Sequence, residues 1–506
     1  MQRVVVVSNR VPPPSGHPSA GGLAVALSAA LQESGGLWFG WSGRVSEEAD
    51  EAVELAQSVA FTLATTDLTA FQHQGYYEGF ANRTLWPLFH GRADLASFDR
   101  SDFAAYHEVN ASFARRLAPL LEPGDLIWGH DYHLILLGEE LRKRGIAGPI
   151  GFFLHIPFPA PDLLAALPCA ADLIRGLCAY DLVGFQTHSD LRNFQDCVIR
   201  LLSGSVASDG TIFAVGRKLK AAAFPIGIDT ARFAAMAASP EVQRLGERIR
   251  GCLRGHPAIV GVDRLDYTKG LIHRLRAFEI LLEAQPARRG CTLLLQIAAP
   301  SRETMAEYVE LEGRLEALSG RINARHSELD WTPVRYINRT FSQRHLAALF
   351  RLSRVGLVTP LCDGMNLVAK EYVAAQDPDE PGVLVLSRFA GAAERLHGAL
   401  LVNPYDVTGV AGALHIALAM PLAERRSRWR DMMAEITEHD VHDWRRRFLD
   451  DLEAVTAGRP ARRAGQRWKL RPPERAGPAV ARCDVGLSLL RGGASAHAGA
   501  LMLVES

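Results

Sequence analysis

Along the chain, short continuous apolar runs recur, each followed by a polar or glycine-bearing loop and then by apolar positions at helical spacing. In the stretch 355–376 the apolar run closes at Pro360, Asp363-Gly364 signals a turn, and Asn366 to Gln376 brings good helix formers with neither Gly nor Pro. The design repeats from Ala258: apolar to Val262, a polar loop, Gly270, then Leu271, Leu275, Phe278, Leu281 and Leu282 at helical spacing. Further strands are expected at 3–8, before His130-Asp131, before His155 where Pro157 and Pro159 stop the run, and at 292–297, 334–337, 383–386 and 399–402. Residues 201–228 alternate like a hairpin turning at Asp209-Gly210, and FPIGID (224–229) reads as a hinge. Strand and helix alternating on both sides of that hinge predict an α/β protein of two doubly wound, Rossmann-like domains facing across a cleft.

In such sheets ligands bind beyond the carboxyl ends of the strands, which singles out particular loops. The helix opening at Asn366 presents N–H groups and about half a positive charge to an anion, with phosphate the natural guest. Glu371, a turn further on, is placed to accept hydroxyl hydrogen bonds from a sugar carried on that phosphate; the plain alternative is a surface carboxylate complementing the helix dipole. Arg264 and Lys269 share one loop and would repel unless an anion lies between them; the alternative is a solvated basic loop with Asp263 and Asp266 as local partners. Gly21-Gly22 at a helix start would let amides approach a phosphate, yet G-x-G-x-x-G is absent, which disfavours a nicotinamide dinucleotide. Arg10 ends the first strand over the same crevice, and Asp131 and His155 end two others; either could instead be a structural hydrogen-bonding residue.

Composition narrows the classes. The 506 residues carry 56 basic and 56 acidic side chains, so neither nucleic acid nor an anionic membrane is expected as a partner. The 7 cysteines are scattered, without a C-x-x-C pair, which predicts a reducing compartment and neither disulfides nor structural zinc. MQRVVVVSNR reads as a first strand and no stretch is long and apolar enough for a membrane span, so a soluble cytoplasmic protein is expected.

The motifs SNR (8–10), SAGGL (19–23), LWPLFH (85–90), HDYH (130–133), FFLHIPFP (152–159), RLDYTKG (264–270) and DGMNLVAKEY (363–372) follow one another in an order that resembles the trehalose-6-phosphate synthases of glycosyltransferase family 20. The likeness runs from about Arg3 to about Val455. It implies the GT-B fold, with an acceptor-binding domain over 1–228, a nucleotide-sugar-binding domain over 229–440 and a last helix, 441–456, crossing back onto the first. It implies a retaining glucosyltransferase joining glucose from UDP-glucose to glucose 6-phosphate, without an enzyme nucleophile and without a metal or other cofactor. By the same likeness His155 contacts the donor sugar at the reacting centre and Asp363 lies near the donor hydroxyls, while Arg264 and Lys269 ease departure of the diphosphate. The donor would be held by Gly21, Gly22, Phe341, Asn366, Leu367, Val368, Ala369, Lys370 and Glu371, and the acceptor by Arg10, Tyr77, Trp86, Asp131 and Arg302. Partners would be these two small molecules; a homo-oligomer is compatible with the pattern. A transferase with another donor or acceptor, such as a glucosylglycerol-phosphate synthase, and a nucleotide-sugar sensor with a dead site are the alternatives.

Other spellings lose their chemistry on inspection. The S-D-G-T at 208–211 matches a phosphatase motif only downstream of its nucleophile, whose place holds Ala207. Asp377-Pro378-Asp379 spells a metal-binding D-x-D but falls after a helix and before a strand, the wrong end of the unit for a ligand. Residues 457–506 turn basic and Pro-rich, then Gly/Ala-rich, and are expected to be a solvated disordered tail.

Overall fold

The computed structural model describes residues 2–12, 27–28, 31–32, 35–47, 52–58, 60–303 and 305–457. The expectations for Gly21-Gly22 and for the tail beyond 457 lie outside the described residues.

Two sheets organise the chain. The first is built from β1 (Val4–Arg10), β2 (Leu37–Ser46), β3 (Glu54–Gln57), β4 (Thr62–Thr69), β5 (Leu126–His130), β6 (Ile150–Phe153), β7 (Leu182–Phe185), β8 (Ser205–Val206), β9 (Thr211–Ala214) and β10 (Arg217–Ala223), in the order 3-4-2-1-5-6-7-10-9-8. Strands β4, β2, β1, β5, β6, β7 and β10 run parallel, and the outer β3, β9 and β8 pair antiparallel. The second comprises β11 (Ala258–Arg264), β12 (Leu293–Ala299), β13 (Val334–Ile337), β14 (Val355–Val358), β15 (Val383–Ser387) and β16 (Leu400–Val402), all parallel, in the order 13-12-11-14-15-16. Both sheets therefore reverse direction beside their first strand, between β1 and β5 and between β11 and β14. These are the crevices where doubly wound sheets bind ligands.

The strands read from apolar runs are observed within a residue or two, because a strand covered on both faces has to be apolar without interruption. The turn at Asp209-Gly210 joins β8 to β9, and a second turn at Val215-Gly216 completes the antiparallel edge. Residues His73–Leu85 form a wide π-wound helix in which Tyr76 and Phe80 are buried. Gly79 lets it lie against the Arg100–Leu117 helix, since a Cβ there would meet the Asp102 carboxylate at 2.3 Å.

The final helix, Val441–Thr456, packs on the first sheet. Phe448 stacks on Trp128 of β5 (4.7 Å between centroids) and Trp444 lies 4.9 Å from the same ring. Gly151 and Gly184 make room for Phe448, whose ring would sit 2.7 and 2.8 Å from a Cβ at those positions. The 224–229 linker is held from three directions. The Ile226 amide donates to Gln186 Oε1, the Ile226 carbonyl accepts from Lys370 Nζ at 2.7 Å, and the Ile228 carbonyl accepts from the Val441 amide.

Candidate active site

The reversal point of the second sheet is lined by the loops after β11 and β14. Asn366, at φ 72, caps the Leu367–Ala375 helix: its Oδ1 accepts from the Ala369 amide and its Nδ2 donates to Asp363 Oδ2 at 3.1 Å. Leu367 and Val368 thus open the helix with their amides in the uncapped first turn, part-exposed, while Glu371 stands a turn deeper. Burial pushes the Glu371 carboxyl up to about 7. Phe341 lies at the start of the neighbouring Gln343–Leu352 helix, with Arg339 over its ring at 4.4 Å.

The cation loop is wired differently from either sequence expectation. Asp263 is bound to Arg274 (2.9 Å), and Asp266 caps the Thr268 amide and pairs with Arg302 (3.3 Å). Lys269 finds its counter-ion in the other loop, Asp363 Oδ2, at 2.6 Å. Burial raises the Asp363 carboxyl, but the Lys269 ammonium outweighs it and holds the group below its ordinary value. Arg264 has no carboxylate partner among the described residues and leans over Trp86 at 5.5 Å.

Two residues expected at the donor site have other partners. The Lys370 side chain is buried and bound to the Ile226 carbonyl, so its ammonium serves the linker and is not available to a phosphate. Ala369 is wholly buried and its amide is taken by the Asn366 cap, because the fourth residue of the segment turns toward the sheet.

Opposite stand the ends of β1, β5 and β6. Arg10 is exposed at the end of β1 over Trp41 (5.6 Å), with no carboxylate partner among the described residues. Asp131 adopts φ 74, a region sparsely used by residues other than glycine, and its Oδ1 accepts the His155 amide at 3.2 Å. Burial pushes its carboxyl up to about 6. His155 is part-buried, its ring 3.1 Å from His130, and burial pushes it down to about 3, so it is neutral near pH 7. Tyr77 is part-exposed and stacked on His133 (5.8 Å, 14°). Trp86 is buried, its face covered by Arg302 at 4.1 Å, and its indole Nε1 has no partner among the described residues. Arg302 therefore reaches from the second sheet to the first, donating to Tyr132 Oη at 3.3 Å as well as to Asp266.

Contact between the halves is direct. A Cβ on Gly364 would lie 2.2 Å from the His155 carbonyl oxygen, and one on Gly391 would lie 3.0 Å from Thr187 Cγ2. His188 meets Glu394 at 3.4 Å across the same seam.

His90 and His130 lie inside the LWPLFH and HDYH motifs, yet neither was expected at the site. His90 donates from Nδ1 to the Trp86 carbonyl (2.7 Å), and burial lowers it to about 4 beside Asp266, Lys269 and Asp363. The available signal was a histidine closing each of two strongly apolar segments. Among the described residues Glu279, Glu283 and His326 cluster closely enough for a cation, but Arg321 and Arg325 already neutralise both carboxylates. Asp377 of the D-x-D is paired with Arg351 at 2.8 Å.

Residues 3–454 match the model of glycosyltransferase family 20. A curated trehalose-6-phosphate synthase of Sinorhizobium fredii is 52% identical over 459 residues, 90% of this chain and 99% of that protein. The crystal structure of a UDP-forming α,α-trehalose-phosphate synthase from Burkholderia xenovorans in complex with glucose-6-phosphate superimposes with a TM-score of 0.87 at 51% identity, covering 89% of this chain and 100% of that one. A structure from E. coli bound with UDP-2-fluoro glucose gives 0.84 at 46% identity, covering 89% and 99%.

Proposed function

The chain belongs to glycosyltransferase family 20, and from that premise we propose that it transfers glucose from UDP-glucose to glucose 6-phosphate with retention of configuration, giving α,α-trehalose 6-phosphate and UDP. The observation that carries this reading is the meeting of two charge systems at the two reversal points. Lys269 paired with Asp363, Arg264 and the Leu367 helix opening supply positive charge for a diphosphate, and Arg10 from the first sheet with Arg302 reaching over from the second supply it for a sugar phosphate.

On the donor side, fixed cations and helix amides stabilise the negative charge that grows on the diphosphate as the C1–O bond breaks, without reorganising at that moment. Glu371, ionised above about 7, accepts hydroxyl hydrogen bonds of the nucleotide sugar. On the acceptor side, arginines suit a group that itself carries phosphate, and Asp131 accepts a sugar hydroxyl. A ring held near 3, as His155 is, is a poor base at neutral pH, so it orients the donor sugar and takes no proton. The acceptor hydroxyl forms the new bond to C1 on the face the leaving group vacates, and its proton passes to the departing phosphate oxygen. This chemistry needs no carboxylate on the far face of the ring and no metal ion. The free cysteines among the described residues fit a reducing, cytoplasmic setting.

A matrix of UDP-, ADP- and GDP-glucose against glucose 6-phosphate and glycerol 3-phosphate, read by nucleotide release and product identity, tests the assignment. Turnover is expected with UDP-glucose and glucose 6-phosphate; preference for glycerol 3-phosphate or no turnover at all would replace it with one of the other readings. Lys269→Ala and Arg10→Ala should each lower kcat/KM at least about tenfold, or about 1.4 kcal/mol.

A further inference from the structure

His155 is held by a second histidine. His130 ends β5, is fully buried, and directs Nδ1 at His155 Nε2 from 3.1 Å. Its ring is enclosed by Trp128 (4.5 Å), Phe153 (6.5 Å) and Trp444 (6.3 Å). Its other nitrogen, Nε2, is buried and has no partner among the described residues. Burial lowers both rings, so the pair is neutral and shares a single hydrogen between the facing nitrogens.

Which ring gives that hydrogen follows from the orphan. Were His155 the donor, the hydrogen of His130 would sit on Nε2, an N–H sealed among aromatic rings with nothing to accept it. With His130 as donor, the orphan is a bare lone pair, and buried acceptors are left unsatisfied more often than buried N–H groups. The His155 hydrogen then belongs on Nδ1, and among the described residues no other group bonds that ring.

We infer that His130 is a positioning residue: its Nδ1–H fixes His155 in the tautomer that offers an N–H, at Nδ1, to an oxygen of the bound donor sugar. The inference rests on the assignment of His155 to the reacting centre. It gives the β5 histidine a task beyond stacking in the aromatic core, and it joins the reacting centre to the final helix through Trp444, which lies against both rings.

The test uses the full chain with UDP-glucose and glucose 6-phosphate. His130→Phe keeps the ring and loses the donor; His130→Asn places an amide N–H where Nδ1–H stood. His130→Phe should lower kcat at least about tenfold with both KM values within about threefold, and His130→Asn should restore kcat to within about threefold of the parent. Nitrogen-15 spectra of the histidine-labelled parent, assigned by the signals lost in the single variants, should show His155 protonated at Nδ1. Normal turnover in His130→Phe, equal slowing in both His130 variants, or a His155 protonated at Nε2 would overturn the inference. Should His130→Phe fail to fold, the spectrum of the parent decides. A His155→Ala variant with full turnover would instead remove the assignment of His155, an outcome told apart because the parent spectrum would still show His155 protonated at Nδ1.

Discussion

At the site, environment decides what each side chain can do. Glu371 and Asp363 are two carboxylates of one loop-and-helix segment, yet burial pushes the first up to about 7 while Lys269 keeps the second ionised. A raised carboxyl is protonated below its pKa and loses its role as acceptor. With UDP-glucose as the varied substrate, kcat/KM should therefore fall as pH drops through about 7, and Glu371→Gln should flatten that limb at a lower plateau. The stability sign runs the other way: what the protonated group contributes is present below the ordinary Glu value of about 4.3 and is lost as pH rises through about 7. An acid limb that persists unchanged in Glu371→Gln would assign it to another group. That Glu371 sits a turn inside the helix after β14 was readable from spacing; its titration was not, because burial is set by residues distant in the chain.

The loop and helix from Thr359 to Ala375 form the element on which the proposed donor binding depends. The Asp363-Gly364 pair was read as a turn; the chain bends at Gly364 after Asp363 bridges to Ala390, but the residue with positive φ is Asn366. Gly364 is required for another reason, its approach to the His155 and Ile156 backbone across the seam. Gly364→Ala should accordingly separate the halves: kcat falls at least about tenfold while UDP affinity by calorimetry changes little, since the helix amides and Lys269 remain in place. Unaltered kcat would mean that the seam yields at no cost. Asn366→Ala removes the cap and should cost about 1 kcal/mol of stability in denaturant melts.

In the molecule as a whole, the final helix ties the end of the chain to the first sheet and to the linker. Phe448→Ala should lower stability by about 3–5 kcal/mol, as expected when a buried ring stacked on Trp128 and fitted between Gly151 and Gly184 is emptied. A loss well below that range would mean the helix is only loosely docked. Ending the chain after Ala457 should leave kcat/KM within about twofold, since the family match stops at 454 and the Sinorhizobium fredii relative, aligned over 99% of its own length, covers 90% of this chain. Uninterrupted apolar runs dictated the buried parallel strands, and loops at their carboxyl ends dictated where Arg10, Asp131, His155, Arg264, Lys269 and Glu371 would stand. Those are local consequences of chain geometry, so linear order was enough for them. Which groups pair was settled by the order in which strands lie side by side. Lys269 meets Asp363 from 94 residues away, Lys370 is drawn to Ile226 across 144, and His130 meets His155 because β5 and β6 are neighbours. Pairing depends on distance in space and on burial, and neither exists until the sheets have formed.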